Sequence, residues 1–209
     1  MYQMGTTSIH ADDSCPKGRG RPRDEEARQR ILEGALELLE ESGFANITTD
    51  AIADRAGASK ATIYRWWPNK SAVLLEALRE AVALELPFPD TGNLEEDIRI
   101  QLRNFTTLLT GPRGRSFAGF IGAAQSDPEI AESFRTVWIE PRRQQAKDVL
   151  RKHQQNGSLS QDIDLGQMLD LLYGPFYFRL LAGHEPLCAR FADLITDLAL
   201  QGLLRSSVS

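Results

Sequence analysis

Between Arg55 and Lys70 the sequence places four basic side chains, Arg55, Lys60, Arg65 and Lys70, and no acidic one. Tyr64, Trp66 and Trp67 are interleaved with them. Cationic donors mixed with flat aromatic groups suit an anionic, base-bearing polymer: ammonium and guanidinium groups bond phosphates and guanine edges, and tyrosine reaches phosphate. A second basic run from Lys17 to Arg23 again holds four cations and no acid, in a Gly/Pro-rich setting. Its core, Gly18-Arg19-Gly20-Arg21-Pro22-Arg23, is similar to an AT-hook, in which Gly and Pro keep the strand thin enough for a narrow minor groove. The plainer alternative for this run is a solvated tail. The net charge of −5 does not oppose a nucleic-acid reading, because the acids cluster elsewhere, from Asp24 to Glu41 and after Asp90. An acidic body with basic patches limits indiscriminate adhesion to polyanions.

These side chains need elements to hold them. Ile31, Leu32, Ala35, Leu38 and Leu39 recur at helical spacing, with Glu33, Glu37 and Glu40 opposite, so an amphipathic helix runs from Asp24 to Gly43. Thr48 or Thr49 can cap a short second helix carrying Ile52, Ala53 and Ala56, which stops at Gly57. Ser59 can cap a third, from Lys60 to Trp67, broken by Pro68. Asn69 can cap a fourth, from Lys70 to about Leu86, before the linker Pro87-Phe88-Pro89-Asp90-Thr91-Gly92. Short helix, glycine turn, short helix is the helix-turn-helix plan, whose second helix lies in a major groove. On that helix Lys60, Ala61, Tyr64 and Arg65 share one face, Thr62 lies near its start, and part of the set Ile63, Trp66 and Trp67 must face inward.

Residues 28–74, about a quarter of the chain, resemble the DNA-binding domain of the TetR family of bacterial regulators. The resemblance runs through Thr48-Thr49, Ile52-Ala53, Ala56-Gly57-Ala58-Ser59-Lys60-Ala61-Thr62-Ile63-Tyr64-Arg65-Trp66-Trp67-Pro68-Asn69-Lys70 and on to Val73-Leu74. It implies phosphate contacts from Thr48, Thr49, Tyr64, Trp66 and Lys70, and base contacts from Lys60, Ala61, Thr62 and Arg65. Trp66 stands where the family commonly has histidine, leaving its indole N–H as the donor. Arg19, Arg21 and Arg23 are the candidate minor-groove contacts of the arm.

Past the linker, further helical segments are expected over 93–110, 115–125, 128–156 (with Pro141 kinking or interrupting it), 164–182 and 186–204, and no alternating β-type run occurs. The expected fold is all-α: a basic arm (1–23), a three-helix helix-turn-helix domain (24–70), a connecting helix (71–86) and a helical ligand-binding and dimerisation domain (93–205). Leu165, Met168, Leu172 and Phe176, with Phe191, Leu194, Ile195 and Leu198, stripe the last two helices. Those stripes either close the monomer core or form a homodimer's four-helix bundle, the arrangement that the resemblance implies. Phe105, Phe120, Phe134, Trp138 and Tyr173 are candidate walls of a pocket for an unidentified small-molecule effector, although aromatic residues at helical spacing more often belong to the core. Arg142, Arg143 and His184 can pair with an acidic ligand or with local carboxylates. The run from Leu172 to Leu180 with Gly183-His184-Glu185-Pro186 resembles the C-terminal domain of one actinobacterial-looking branch of the family.

Other classes fit poorly. No nucleophile elbow, zinc-protease, phosphate-loop or dinucleotide fingerprint is present, and His10, His153 and His184 are scattered, so no catalytic or metal site and no cofactor is expected. Cys15 and Cys188 form no framework, and no apolar stretch is long enough to span a bilayer, so the reading is a cytoplasmic protein without a membrane partner. The expected function is sequence-specific transcriptional regulation, as a ligand-responsive repressor binding a palindromic operator in double-stranded DNA as a homodimer. An architectural DNA-binding protein or an activator is the alternative.

Overall fold

The computed structural model describes the backbone of residues 21–85 and 87–205. Within that range every regular element is helical. Helix α1 (Arg21–Ser42) is followed by a 3-10 turn (Phe44–Asn46), α2 (Thr49–Ala56), α3 (Lys60–Trp66) and α4 (Lys70–Glu85). Beyond the linker come α5 (Leu94–Thr110), α6 (Gly114–Ala124), α7 (Pro128–Ser133), a π-helical segment (Phe134–Ile139), α8 (Glu140–Gln155), α9 (Leu165–Ala182) and α10 (Ala189–Arg205).

Three boundaries differ from the sequence expectation. Helix α1 starts at Arg21, so Arg21 and Arg23 sit on helical backbone rather than in an extended arm. Pro22 is tolerated in a first turn, and Asp24-Glu25-Glu26 favours the positive end of the helix. Arg19 and the remainder of the arm lie outside the described residues. The stretch 128–156, expected to be kinked or interrupted at Pro141, departs from the α pattern earlier, in a π segment where the Glu140 amide donates to the Arg135 carbonyl, five residues back. Pro141, in the first turn of α8, has no N–H to give and its ring crowds the carbonyl four residues earlier; the wider π turn relieves both. Helix α10 starts three residues later than Pro186, whose carbonyl is held by Arg179 Nη1 at 2.8 Å.

A continuous apolar core runs from Ile31 in α1 to Ala199 in α10. Helix α1 packs on α2 and α4, α4 packs in turn on α7 and the π segment, and α10 lies on α5. The connecting helix therefore belongs to both halves. Two further joints bind the halves together. Near the end of α1, Ser116 Oγ donates to the Leu39 carbonyl at 3.1 Å and Arg113 Nε to Glu40 Oε1 at 2.8 Å, beside the Phe44 and Phe120 rings at 4.3 Å. At the start of α4, Asn69 Nδ2 donates to Glu129 Oε1 at 2.8 Å and lies 3.2 Å from Ser133 Oγ, both on α7.

The linker is fixed by a buried polar pair. Asp97, in the first turn of α5, accepts from the Thr91 amide at 2.7 Å and meets His153 Nε2 of α8 at 2.8 Å. Burial works against its charged form, but the Thr91 amide and the His153 ring outweigh that and hold its pKa below the ordinary carboxylate value. A depressed carboxyl stabilises the fold above its unfolded value of about 3.9, and the contribution is lost as pH falls through the native value. Asp97→Asn is therefore expected to cost about 1–3 kcal/mol at neutral pH, with the gap to the parent protein narrowing below about pH 4. Urea unfolding across that pH range measures it, and a gap independent of pH contradicts the assignment.

Candidate nucleic-acid interface

The two helices of the interface begin on hydroxyl caps. Thr48 Oγ1 accepts from the Ala51 amide at 3.1 Å and Ser59 Oγ from the Thr62 amide at 3.1 Å, the positions that the sequence reading gives them. Gly57 closes α2 with a left-handed φ of 58°, and the Ala58 amide reaches back to the Ala53 carbonyl at 2.9 Å, turning the chain into α3. Helix α2 seats close to α1 because Gly34 has no side chain: a Cβ there would stand 2.9 Å from Arg55 Cγ.

Of the apolar set on α3, Ile63 and Trp67 are buried while Trp66 and Tyr64 face outward, 39% and 53% exposed. Trp67 is the anchor. Its indole Nε1 donates to Glu76 Oε2 of α4 at 2.6 Å, and Glu76 also pairs with Arg28 of α1, which reaches Glu80 at 2.6 Å as well. With the inward face fixed, Lys60, Ala61, Tyr64 and Arg65 are exposed together, and Arg65 lies over the Trp66 ring at 5.9 Å. Thr49 approaches the Tyr64 hydroxyl at 3.5 Å, so the start of α2 and the middle of α3 present one polar strip. Thr62 is half-buried, its hydroxyl 2.9 Å from that of Ser59.

The cations are less uniform than their spacing in sequence suggests. Arg55 is turned away onto α1, bonded to Glu37 at 3.0 Å and Glu41 at 2.8 Å, and it ties α1 to α2. Lys70 does not stand free at the head of α4: its ammonium donates to the Ile47 carbonyl at 2.7 Å and lies over the Phe44 ring. It buttresses the turn that leads into Thr48 and Thr49. Lys60 faces solvent but holds Asp50 of α2 at 2.6 Å, and this acid keeps the ammonium pKa raised. The stretch free of acid in sequence thus meets an acid in space.

Elsewhere the expected sites are redistributed. Met168, Leu172, Phe176 and Phe191 are buried within this chain, and Leu165 and Ile195 are partly buried, so most of the expected dimer stripe is core. Leu194 and Leu198 are exposed, and with them Leu171, Phe178 and Leu181, which the sequence reading missed. Of the expected pocket walls, Trp138 and Tyr173 do line a cavity of about 290 Å³ between α8 and α9. Phe105, Phe120 and Phe134 do not line it. They pack against other rings in the core instead, Phe105 edge-on to Tyr173 and Phe176, Phe134 edge-on to Phe117, and Phe120 tilted against Phe44. Phe88, Arg142 and Tyr177 take their places. His184 lies tilted against the Phe178 ring at 4.9 Å. No helix among the described residues is long and apolar enough to cross a membrane.

Comparison with known proteins decides what such an arrangement belongs to. Residues 31–77 match the family described as bacterial regulatory proteins, tetR family, and residues 88–199 match the tetracyclin repressor-like C-terminal domain. Over 192 residues the sequence is 42% identical to the HTH-type transcriptional regulator YdeS of Bacillus subtilis strain 168, covering 91% of this chain and 96% of that one. The chain belongs to the TetR family. It is a DNA-binding transcriptional regulator and not an enzyme. The crystal structure of the TetR family regulator SCO0332 superposes with a TM-score of 0.79 at 38% identity, over 85% of this chain and 98% of that one. The flavonoid-responsive regulator FrrA shares the fold at 24% identity with a TM-score of 0.61, over 87% and 97% of the two chains.

The Lys60–Asp50 pair generates a prediction for this TetR-family regulator. Asp50→Asn frees the ammonium without altering the cap, so DNA affinity is expected to rise several-fold, with the slope of log K against log salt steepening by about one unit or less. Lys60→Ala moves both the other way. Fluorescence anisotropy on a bound duplex at several salt concentrations reads both; an Asp50→Asn slope shallower than that of the parent protein removes Lys60 from the DNA contacts.

Proposed function

We propose that this regulator is a ligand-responsive repressor that acts in the cytoplasm as a homodimer on a near-palindromic operator. The observation that carries the reading is the outward strip of α2 and α3: Lys60, Ala61, Tyr64 and Arg65 exposed over a buried Ile63 and Trp67. Base edges fall to Lys60, Ala61, Thr62 and Arg65, phosphates to Thr48, Thr49, Tyr64 and Trp66, while Lys70 serves the contact indirectly through the Ile47 turn. Arg21 and Arg23 rise on α1 rather than extending, which weighs against an architectural role built on an AT-hook-like arm.

Two recognition helices set about one helical turn, ~34 Å, apart need two copies of the chain. Leu171, Phe178 and Leu181 on α9 with Leu194 and Leu198 on α10 supply an apolar face suited to a two-fold four-helix contact. Response to a ligand is supported by the route out of the cavity. Trp138 and Ile139 line it and belong to the π segment, which continues α7. Helix α7 carries Glu129 and Ser133, the partners of Asn69, and Asn69 caps α4 through the Ala72 amide at 2.8 Å. A ligand that prefers one position of these helices changes the separation of the recognition helices and so the fit to the operator. The FrrA description as flavonoid-responsive is in keeping with such control.

Selection of bound DNA from a random or genomic pool is expected to return an inverted repeat, with transcription from the adjoining promoter rising when the gene is deleted. Recovery of sequences without symmetry removes the dimeric reading, and falling transcription removes the repressor reading. The double variant Leu171→Asp, Leu198→Asp is expected to sediment as a folded monomer that no longer holds the repeat. A variant that stays dimeric places the interface elsewhere.

A further inference from the structure

The cavity between α8 and α9 contains a charge without a partner. It is lined by Phe88, Trp138, Ile139, Arg142, Tyr173 and Tyr177 among others, and its volume of about 290 Å³ lies at the small end of ligand pockets, roughly 300 to 1,000 Å³. Arg142 Nη1 is buried and has no hydrogen-bond partner. Among the described residues no carboxylate pairs with this guanidinium, which rests on two rings, Phe88 at 4.3 Å and Trp138 at 5.8 Å. Burial drives its pKa down from the ordinary arginine value. The neighbouring side chain behaves in the opposite way: Arg143 is held by Asp170 at 2.5 Å and by the Gly166 carbonyl at 3.0 Å. Asp170 also borders the cavity, and Asp148, which lines a second pocket together with Phe88 and Arg142, is engaged by Arg151 at 2.5 Å and Gln144 at 2.7 Å. Both of these carboxylates are already committed.

A partly buried guanidinium with one buried nitrogen left unbonded is costly, and perturbed ionisable groups in a cleft gather where a ligand completes them. Two guanidinium groups against one carboxylate leave the cavity with one positive charge in excess. A monoanion balances that charge, whereas a phosphate dianion overshoots it. The planar fork of arginine matches a carboxylate with two parallel bonds. Most of the remaining wall is aromatic, with the hydroxyl oxygen of Tyr173 accepting from Gln101 Nε2 at 3.0 Å, so the body of the ligand meets largely flat ring surface.

We propose that this cavity binds a small aromatic carboxylic acid, its carboxylate on the Arg142 guanidinium and its ring among Trp138, Tyr173 and Tyr177. The proposal rests on the ligand-responsive reading above and gives that ligand its chemical class. It also gives the response a starting point. Phe88 belongs to the linker that follows α4, and a carboxylate bonded to Arg142 competes with the Phe88 ring for the same cation.

The test uses the full chain with benzoate, phenylacetate and indole-3-acetate as probes and the matching neutral amides as controls, binding being read by calorimetry. At least one acid is expected to bind saturably, with its amide about tenfold or more weaker, and Arg142→Gln is expected to bring the acid down to the level of the amide. Arg142→Gln is also expected to melt at the same temperature as the parent protein or higher, because it removes an unpaired buried cation; a guanidinium present only for packing would make the variant melt lower. No saturable binding of any of the three acids, equal binding of acid and amide, or full binding by Arg142→Gln each overturns the proposal. Operator release is scored separately. An acid that binds through Arg142 without changing operator affinity leaves the site standing and defeats the ligand-responsive reading instead.

Discussion

The carboxylate of Glu76 is the point on which the DNA-facing half turns. Helix α3 has seven residues and cannot hold its shape alone in water, so its conformation and its aim are imposed from beneath. Glu76 receives the indole N–H of Trp67, the residue that ends α3, and the guanidinium of Arg28, which belongs to α1. One side chain on α4 thus joins the end of the reading helix to the two longest elements around it. Ile63 fills the space between, and the outward direction of Lys60, Tyr64 and Arg65 follows from what is held inward.

The same helix α4 passes that constraint to the rest of the molecule. Its N-terminal cap, Asn69, is bonded to α7, and its body packs on α7 and the π segment. A close-packed core that runs unbroken from α1 to α10 has little freedom to deform gradually, so a displacement at the cavity is carried as a movement of whole helices. The segment Phe134–Ile139 is where such a movement costs least, since its hydrogen bonds already depart from the α pattern.

Much of this was legible from the residues. The caps Thr48, Ser59 and Asn69, the Gly57 turn and the helical order follow from local rules, in which a side chain answers its own backbone. What local rules do not carry is pairing across space. Arg55 finds Glu41 from 14 positions away, and Lys60 finds Asp50 on another helix, so an acid-free run in sequence was not an acid-free surface. Helix α9 is apolar on nearly every side, and periodicity then identifies a helix without saying which face is inside. Met168, Leu172 and Phe176 went to the core while Leu171, Phe178 and Leu181 went to the surface. Aromatic residues likewise divided between core and cavity, with core rings packed edge-on against the cavity-lining Tyr173 and Trp138, a matter settled only by tertiary packing.

The chemistry of the caps separates two environments within one chain. Helices α7 and α9 begin on carboxylates, Asp127 and Asp164, and α5 gathers Glu95, Glu96 and Asp97 in its opening turn. Helices α2 and α3 begin on neutral hydroxyls, and the acid in the opening turn of α2, Asp50, has its charge held by Lys60. A hydroxyl satisfies the free amides without adding a negative charge to repel a polyanion. The choice of Thr and Ser over Asp at these two positions keeps the surface around them open to a phosphate backbone, at a modest loss of helix-starting strength.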